Sequence, residues 1–257
     1  MLRSRVEQAV RNNAVWCDAV CRAHGAPGEF HEDLWLNRHP VPRFYSNAIT
    51  LRDSAKPAAL VDRIQTLLVS SATALWSVKD AFHALDLTAL GLQPLFDATW
   101  LWRDPSPVPD LATEVRWSRI ERASELAQWE AAWSADPGND AGRKQPRLFP
   151  DPLLADDQIA FIAGRNGDRI VAGAILNRTD NVVGLSNVFA APDCAASTWG
   201  GAVTTAGAIF PGLPLVGYER GQELSVARSL GFTPLGGLRV WIKQGGITER
   251  ASDTPPS

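Results

Sequence analysis

Residues 181–243 read NVVGLSNVFAAPDCAASTWGGAVTTAGAIFPGLPLVGYERGQELSVARSLGFTPLGGLRVWIK, and this stretch decides the fold class. Its apolar pattern predicts alternating strands and helices. In chain order these are a strand at Val182–Ala190, a helix of small residues at about Ser197–Phe210, a strand at Pro214–Glu219, a helix at Gly221–Leu230 and a strand at Thr233–Lys243. Such alternation is typical of a mixed α/β protein.

Two further strands lead into this stretch and form a predicted hairpin. Ile159–Arg165 and Arg169–Leu176 flank Asn166-Gly167, a pair that tolerates the positive φ angles of a type I′ turn. With Val182–Ala190 they make three successive antiparallel strands. The predicted fold is therefore α/β, with a mixed and mainly antiparallel sheet flanked by helices.

The first half of the chain shows a similar order of elements, displaced by 140 residues. Ser46-Asn47-Ala48-Ile49-Thr50 falls on Ser186-Asn187-Val188-Phe189-Ala190, and Leu90-Gly91-Leu92 falls on Leu230-Gly231-Phe232. We interpret the match as a tandem duplication. The alternative is that any two α/β halves share short patterns such as a helix, a glycine and then a strand. The predicted elements of this half include helices at Arg3–Ala23, from Pro57 to about Ser70 and at Phe82–Leu90, and strands at Leu34–Asn37, Arg43–Leu51, Ala74–Val78 and Pro94–Trp102.

A proline-rich segment separates the halves. Residues 105–112 contain Pro105, Pro107 and Pro109, a composition typical of a linker. We therefore predict domains at 1–104 and 113–244. Residues 245–257 have no apolar period, so we predict a disordered tail there.

Composition limits the classes of function. The formal charge is −3 and the isoelectric point is near 5.8, which argues against nucleic acid as a partner because phosphate binding needs a basic surface. No apolar run approaches the roughly 20 residues that span a bilayer, and the N-terminus does not resemble a secretory leader. We therefore expect a cytoplasmic protein, a monomer or homodimer, that contacts neither nucleic acid nor membrane.

The three cysteines predict reduced thiols. Cys17, Cys21 and His24 share one face of a predicted helix, but no fourth metal ligand is evident. The alternative is two buried small residues and a histidine at a helix end, and we predict no metal site.

Several motifs in residues 113–243 together resemble the GNAT superfamily of acyl-CoA-dependent N-acetyltransferases. The matching segments are Pro214–Glu219, Leu224–Leu230, Gly231-Phe232 and Gly236–Trp241, which follow one another in that family's order. The resemblance implies that acetyl-CoA or another acyl-CoA is the co-substrate and that a small amine accepts the acyl group. In the first half the resemblance is faint, so that half is interpreted as a degenerate copy.

The resemblance also implies where the donor binds. Two parallel strands of that fold separate at their carboxyl ends, the pantetheine arm fills the gap, and the pyrophosphate lies at the next helix N-terminus. Here the strands would be Val182–Ala190 and Pro214–Glu219. The implied cofactor-binding residues are Val188, Phe189, Ala190, Thr198, Trp199, Gly200 and Gly201.

The phosphate loop departs from the family pattern Arg/Gln-x-x-Gly-x-Gly/Ala. Those positions carry Ala195, Thr198 and Gly200, so the basic or amide residue and the first glycine are missing. Trp199 has two interpretations, stacking on the donor or packing in the core, and its helical stripe favours the core. Residues 53–58 of the first half contain no glycine, and Pro57 lacks an N–H, so we predict that this half does not bind CoA.

The family's usual acid, a tyrosine on the last helix, falls on Ala227. The nearest replacements are Glu219 as base and Tyr218 as acid, with Asn187 or Ser186 orienting a carbonyl or a water. The alternative is a packed strand-end tyrosine and a solvated glutamate.

Two functions follow from these observations. The first is an acyl-CoA-dependent N-acyltransferase that acts by direct transfer. The second is a catalytically silent protein of the same fold, used for binding or regulation; a third, less favoured, is a thioester-using enzyme with another donor or a decarboxylating activity.

Overall fold

The computed structural model describes residues 4–53, 56–70, 76–107, 115–134, 147–191 and 195–243, without the side chains of residues 70 and 195–197. In chain order the elements are α1 (Arg5–Ala23), β1 (Glu29–Phe30), β2 (Leu34–Leu36), β3 (Ala48–Thr50), α2 (Pro57–Ser70), β4 (Ser77–Asp80), β5 (Leu92–Arg103), β6 (Arg116–Arg119), α3 (Ala123–Trp133), β7 (Ile159–Asn166), β8 (Arg169–Thr179), β9 (Val182–Ala190), α4 (Ala195–Ile209), β10 (Leu215–Glu219), α5 (Gly221–Ser229) and β11 (Thr233–Lys243). The predicted α/β class, a mixed sheet with flanking helices, is confirmed.

Contacts between residues divide the chain into two compact units. Among the described residues, the first unit holds residues up to 100 and residues 235–243, and the second holds residues 101–234. These limits differ from the predicted domain limits because most of β11 groups with the first unit, where it pairs with β4. Residues 108–114 and 244–257, which include most of the predicted linker and the predicted tail, lie outside the described residues.

The first unit has its own core. Its strands follow the order β1-β2-β3-β4-β11, with β3 and β4 parallel and the other pairs antiparallel. Helix α1 begins at a capping box in which the Ser4 hydroxyl accepts from the Glu7 N–H and the Glu7 carboxylate accepts from the Ser4 N–H. Helix α2 buries Leu60, Ile64 and Leu68 against this sheet.

The second unit carries helices on both faces of its sheet. Strand order is β10-β9-β8-β7-β6, and only β9 and β10 among them are parallel. Ala160 and Ile162 of β7 belong to the apolar cluster that includes α4 and α5. Phe161 lies between them in sequence, so it points to the other face, where it contacts Trp129 of α3. We call the first of these surfaces the α4–α5 face and the second the α3 face.

The predicted hairpin forms, but its turn lies one residue later than predicted. Asn166 pairs with Arg169, so the two turn residues are Gly167 and Asp168. Only Gly167 has a positive φ, 59°, and Asn166 ends the strand. The Asn-Gly pair therefore marked the right place but not the right turn geometry.

Two predictions for the first half are wrong in extent. The helix predicted at Phe82–Leu90 is reduced to one 3₁₀ turn at Thr88–Leu90, because the Asp80 carboxylate accepts from the N–H groups of Phe82 and Leu85 and holds a loop there. The strand predicted from Arg43 begins only at Ala48, and Phe44, with φ of 72°, interrupts it. Gly91 ends the 3₁₀ turn with φ of 76° in the left-handed region, as predicted.

Elements related by the 140-residue shift stand in the same order in both halves of the sequence. They are β3 and β9, α2 and α4, β4 and β10, and β5 and β11. In each unit the first strand of the series pairs in parallel with the strand that follows the helix. The tandem duplication itself stays a prediction.

Candidate functional site

Strands β9 and β10 separate part of the way along their length. Within the described residues they pair at Val183–Leu215 and Gly184–Val216, and the ladder ends there, although both strands continue. At the next position a β-carbon on Gly217 would lie 2.7 Å from the Leu185 carbonyl oxygen, so glycine allows the last close approach. The ladder thus ends before Phe189 and Tyr218, as the predicted gap between them requires.

A bulge in β9 lies beside this gap. Ser186 pairs with Ile175 and Phe189 pairs with Gly173, so two residues of β9, Asn187 and Val188, stand opposite one residue of β8. Asn187 has φ of 52°, a left-handed conformation that asparagine tolerates better than most residues. The bulge turns the end of β9 out of the regular ladder and so contributes to the gap.

Glycine at position 173 makes the bulge possible on the α3 face. A β-carbon there would lie 2.4 Å from both the Phe189 ring and the Trp129 indole nitrogen. Trp129 contacts Phe189 edge-to-face at 5.2 Å between ring centroids. An aromatic cluster thus fixes the end of β9, and the sequence analysis missed the role of Gly173.

Helix α4 follows the gap and begins earlier than predicted, at Ala195 rather than near Ser197. Thr198 and Gly200 consequently lie inside the helix, and both are buried. The first N–H groups of any α-helix have no partner within the helix, and here they are at the end of β9. A β-carbon on Gly201 would meet the Trp117 indole nitrogen at 2.0 Å, so Gly201 serves the packing of Trp117.

Trp199 packs in the core. Its side chain is 7% exposed and belongs to the α4–α5 face cluster, where it meets Phe232 edge-to-face at 6.1 Å. This is the core position that the helical stripe favoured. Of the other residues predicted to bind the donor, Val188 is buried, while Phe189 and Ala190 are half-buried at the gap.

Glu219 is the most unusual ionisable residue of the second unit. It ends β10 with 3% of its surface exposed, and its Oε2 atom has no hydrogen-bond partner among the described residues. The pKa of Glu219 is raised to about 8: burial is the largest cause, the nearby Glu223 carboxylate adds to it, and Arg220 opposes it. The alternative of a solvated glutamate is therefore wrong.

Tyr218 and Ser186 occupy the opposite face. Side chains alternate along a strand, so Tyr218 points away from the face of Glu219, and it is half-buried. The Ser186 hydroxyl is buried and lacks a partner among the described residues. The predicted catalytic residues Asn187, Tyr218 and Glu219 thus lie on the parts of β9 and β10 beyond their ladder, and the plane of the sheet divides Tyr218 from Glu219.

The predicted thiol and metal features belong to the first unit. Cys17 and Cys21 are buried and free, and burial raises the pKa of Cys21 to about 12. Among the described residues no three histidine, cysteine or acidic side chains are grouped to hold a metal ion. No helix in the described part of the chain is long and apolar enough to cross a membrane.

Comparison with solved structures places this fold among acetyltransferases. A GCN5-related N-acetyltransferase from Kribbella flavida matches with a TM-score of 0.68 at 16% identity, over 95% of this chain and 98% of that one. One from Sphaerobacter thermophilus matches with a TM-score of 0.52 at 13% identity, over 94% of each chain. A conserved protein of unknown function from Staphylococcus epidermidis gives 0.56 at 11%, over 84% and 93%.

These similarities establish the fold. This chain has the GNAT fold, and the prediction of that fold is confirmed. Neither a scan against protein-family models nor a search of curated proteins found a match.

Proposed function

We propose that this protein is an acyl-CoA-dependent acyltransferase that transfers an acyl group, most simply acetyl, directly to a small amine. One observation carries the proposal: β9 and β10 stop pairing after Gly184 and Val216, at the end from which α4 departs. Parallel neighbours in a buried sheet normally continue their ladder, because unpaired backbone groups lose hydrogen bonds. A gap of this kind therefore favours an extended ligand that supplies the missing partners.

The donor would use three features of the second unit. Its pantetheine arm would lie along the end of β9, from Asn187 to Ala190, and accept and donate backbone hydrogen bonds there. Its pyrophosphate would lie at the first turn of α4, where free N–H groups and the helix dipole favour an anion. A third feature is the small size of Ala195, the residue that begins this turn.

The acceptor would be a neutral amine. Attack on the thioester requires a nitrogen lone pair, and departure of CoA requires a proton for sulfur. Asn187 or Ser186 would orient the thioester carbonyl or a water. Ser186 supports this role because its buried hydroxyl lacks a partner among the described residues.

The second candidate, a silent binding or regulatory module, rests on a specific observation. Ala227 is fully buried in the apolar cluster, so the position of the family's tyrosine acid holds only a methyl group. The missing basic residue at Ala195 points the same way. Both candidates require the gap, and they differ in whether a proton donor remains at it.

Binding and turnover separate these candidates. Acetyl-CoA or CoA at sub-millimolar concentration should raise the Tm, and titration calorimetry should give one site per chain, because the first unit is not expected to bind. Release of CoA thiol from acetyl-CoA in the presence of a panel of small amines would then support the enzyme. Binding without thiol release from acetyl-, propionyl- or malonyl-CoA, or no binding of any acyl-CoA, would support the silent module and contradict the enzyme.

A further inference from the structure

The position of Glu219 on the sheet determines what its carboxyl can reach. Alternation along β10 puts Leu215, Gly217 and Glu219 on one face. Leu215 belongs to the apolar cluster that contains α4 and Ala227 of α5. Glu219 therefore points to the α4–α5 face, two residues beyond Gly217, where β10 has already left β9.

Most side chains of this face are apolar, but it also holds the buried guanidinium of Arg103, which β5 places on the side of Leu101 and which donates to the Leu230 carbonyl. Among the described residues of the second unit, Glu219 is the only buried carboxyl group, and helix α4 contains no ionisable side chain. Strand β9 contains none either, and Asp193, between the two, lies outside the described residues. The charged groups that act on Glu219 are Glu223 and Arg220, so the gap offers one acid on this face.

The hydrogen bonding of Glu219 is incomplete. Oε2 is buried and has no partner among the described residues, which is costly for an ionised carboxylate. A protonated carboxyl lowers that cost, and it needs an acceptor for its proton. The raised pKa, about 8, agrees with a neutral acid near pH 7. It is also close to the pKa of about 8.5 of an ordinary alkyl thiol, which makes proton exchange between the two nearly balanced.

We propose that Glu219 is the acid, and not the base, of the acyl transfer: its carboxyl gives a proton to the departing thiolate of CoA. This inference rests on the proposed function. The amine nitrogen forms a bond to the thioester carbon, the carbon–sulfur bond breaks, and sulfur takes the proton of Glu219. The amine nitrogen loses one proton to solvent, and solvent returns one to the carboxylate, so the products are amide and CoA thiol.

Tyr218 does not fill this role. It points to the α3 face, whereas Ala227, at the position of the family's acid, belongs to the α4–α5 face to which Glu219 points. Glu219 thus extends from β10 to the α4–α5 face, where the methyl group of Ala227 cannot donate a proton.

Ligand binding tests the contact between Glu219 and sulfur without any acceptor. We would measure the Kd of CoA and of desulfo-CoA by calorimetry from pH 6 to 9.5, for the wild type and Glu219→Gln. In the wild type the preference for CoA over desulfo-CoA should fall by about tenfold as pH rises through 8, because the carboxyl loses its proton. Glu219→Gln, which stays uncharged, should leave only the smaller change that comes from ionisation of the CoA thiol itself, whose ordinary pKa is about 8.5.

The possible results are distinct. The same preference in both proteins at every pH would overturn the role of Glu219 while leaving donor binding intact. If the wild type bound neither ligand, the donor site itself, and with it the proposed function, would fail.

Kinetics test the proton transfer itself. With acetyl-CoA and aniline, an acceptor that is neutral throughout this range, kcat should fall as pH rises through about 8 if Glu219 is the acid, and rise if it is the base. Glu219→Gln should lower kcat by about 10²–10⁴-fold with little change in the Kd of acetyl-CoA.

Glu223→Gln is the matched control for this experiment, because it makes the same chemical change at an exposed position. It should keep kcat near that of the wild type at pH 7. The pH at which its kcat begins to fall should be lower than in the wild type, because the Glu223 charge raises the pKa of Glu219. A wild-type kcat that rises through pH 8, or an unchanged kcat in Glu219→Gln, would overturn the proposal.

Discussion

The two parallel strand pairs of the molecule, β3–β4 and β9–β10, are related by the 140-residue shift but pair differently. In the first unit Ala48 pairs with Val78 and Ile49 with Lys79. The corresponding positions of the second unit, 188 with 218 and 189 with 219, are beyond the end of the β9–β10 ladder. We call β3–β4, which is paired at these positions, the closed pair, and β9–β10, which is not paired at them, the open pair.

One asparagine has a different role in each pair. Asn47 bridges its two strands: its N–H donates to the Ser77 carbonyl, its Oδ1 accepts from the Ser77 N–H at 3.2 Å, and its Nδ2 donates to His39. Asn187, at the equivalent position, has a left-handed backbone in the bulge. The same Ser-Asn dipeptide therefore closes one pair and interrupts the other.

The buried charge also differs. Lys79 is 6% exposed and donates to the Asn13 side chain at 2.7 Å, whereas Glu219, its counterpart, keeps a buried oxygen without a partner among the described residues. Proteins satisfy buried polar groups unless a ligand or reaction uses them. The comparison teaches that the closed pair is internally satisfied and the open pair is not.

The largest expected effect is on the pH dependence of stability through Glu219. Its folded pKa, about 8, exceeds its ordinary value of 4.5, so the folded state holds the proton more tightly than the unfolded state. The free energy of unfolding should therefore fall by about 5 kcal/mol as pH rises from about 4.5 to 8, and not below that range. Urea unfolding of the wild type and Glu219→Gln at pH 5 and 9 measures this difference.

Glu223→Gln should keep most of the wild-type fall in that experiment, reduced slightly because loss of this exposed charge lowers the pKa of Glu219. Parallel curves for the wild type and Glu219→Gln would mean that the Glu219 carboxyl is not held neutral. The contrast between a hydrogen-bonded Lys79 and an unsatisfied Glu219 would then not hold.

Equivalent substitutions of the two asparagines should act in opposite directions. Asn47→Gly removes two hydrogen bonds from a buried side chain and should cost about 2–3 kcal/mol. Asn187→Gly relieves a left-handed residue and should be neutral or stabilise by up to about 1 kcal/mol. Thermal unfolding of the two variants provides the measurement, and similar losses at both positions would remove the distinction between the pairs.

Gly217 and Ser77 are also equivalent positions. Gly217→Ala forces a methyl group against the Leu185 carbonyl and should cost about 1–3 kcal/mol, with weaker CoA binding because the gap moves. Ser77→Ala removes only a 3.5 Å contact from its hydroxyl and should change stability by about 0.5 kcal/mol. Calorimetric Kd values for CoA should be altered by the first variant alone, and equal affinities would argue that β10 does not border the donor.

The smallest effect is expected from Trp199→Phe. The ring lies in the α4–α5 face cluster, so the smaller ring should cost about 1 kcal/mol in stability. Because Trp199 packs on Phe232 and not in the gap, the Kd of CoA should not change. A clear loss of CoA affinity in a well-folded variant would restore the alternative that Trp199 stacks on the donor.

Sequence patterns were sufficient where side chains repeat with a period. The strands at Val182–Ala190 and Thr233–Lys243 have the predicted limits. Long apolar periods fix such elements because each residue's face decides its burial. The helix predicted at Phe82–Leu90 does not form because the Asp80 carboxylate, at the end of β4, accepts hydrogen bonds from the N–H groups of Phe82 and Leu85.

The site was predictable in position but not in geometry. The order of motifs located the gap, and Gly217 within a strand is a sequence signal of close backbone approach. The pairing of Gly173 with Phe189, which makes the bulge, depends on Trp129 from a distant helix. The burial of Glu219 likewise depends on residues distant in sequence that pack around it. The local sequence therefore could not predict its raised pKa or its unpaired oxygen.

Strand β11 has a consequence for the synthesis of the protein. It hydrogen-bonds to β4 through residues 239–242. The chain segment between β4 and β11 contains most of the second unit. The ribosome therefore finishes the second unit before it supplies the last strand of the first. During translation β4 keeps an exposed edge, and any cellular factor that shields nascent chains would be needed there longest.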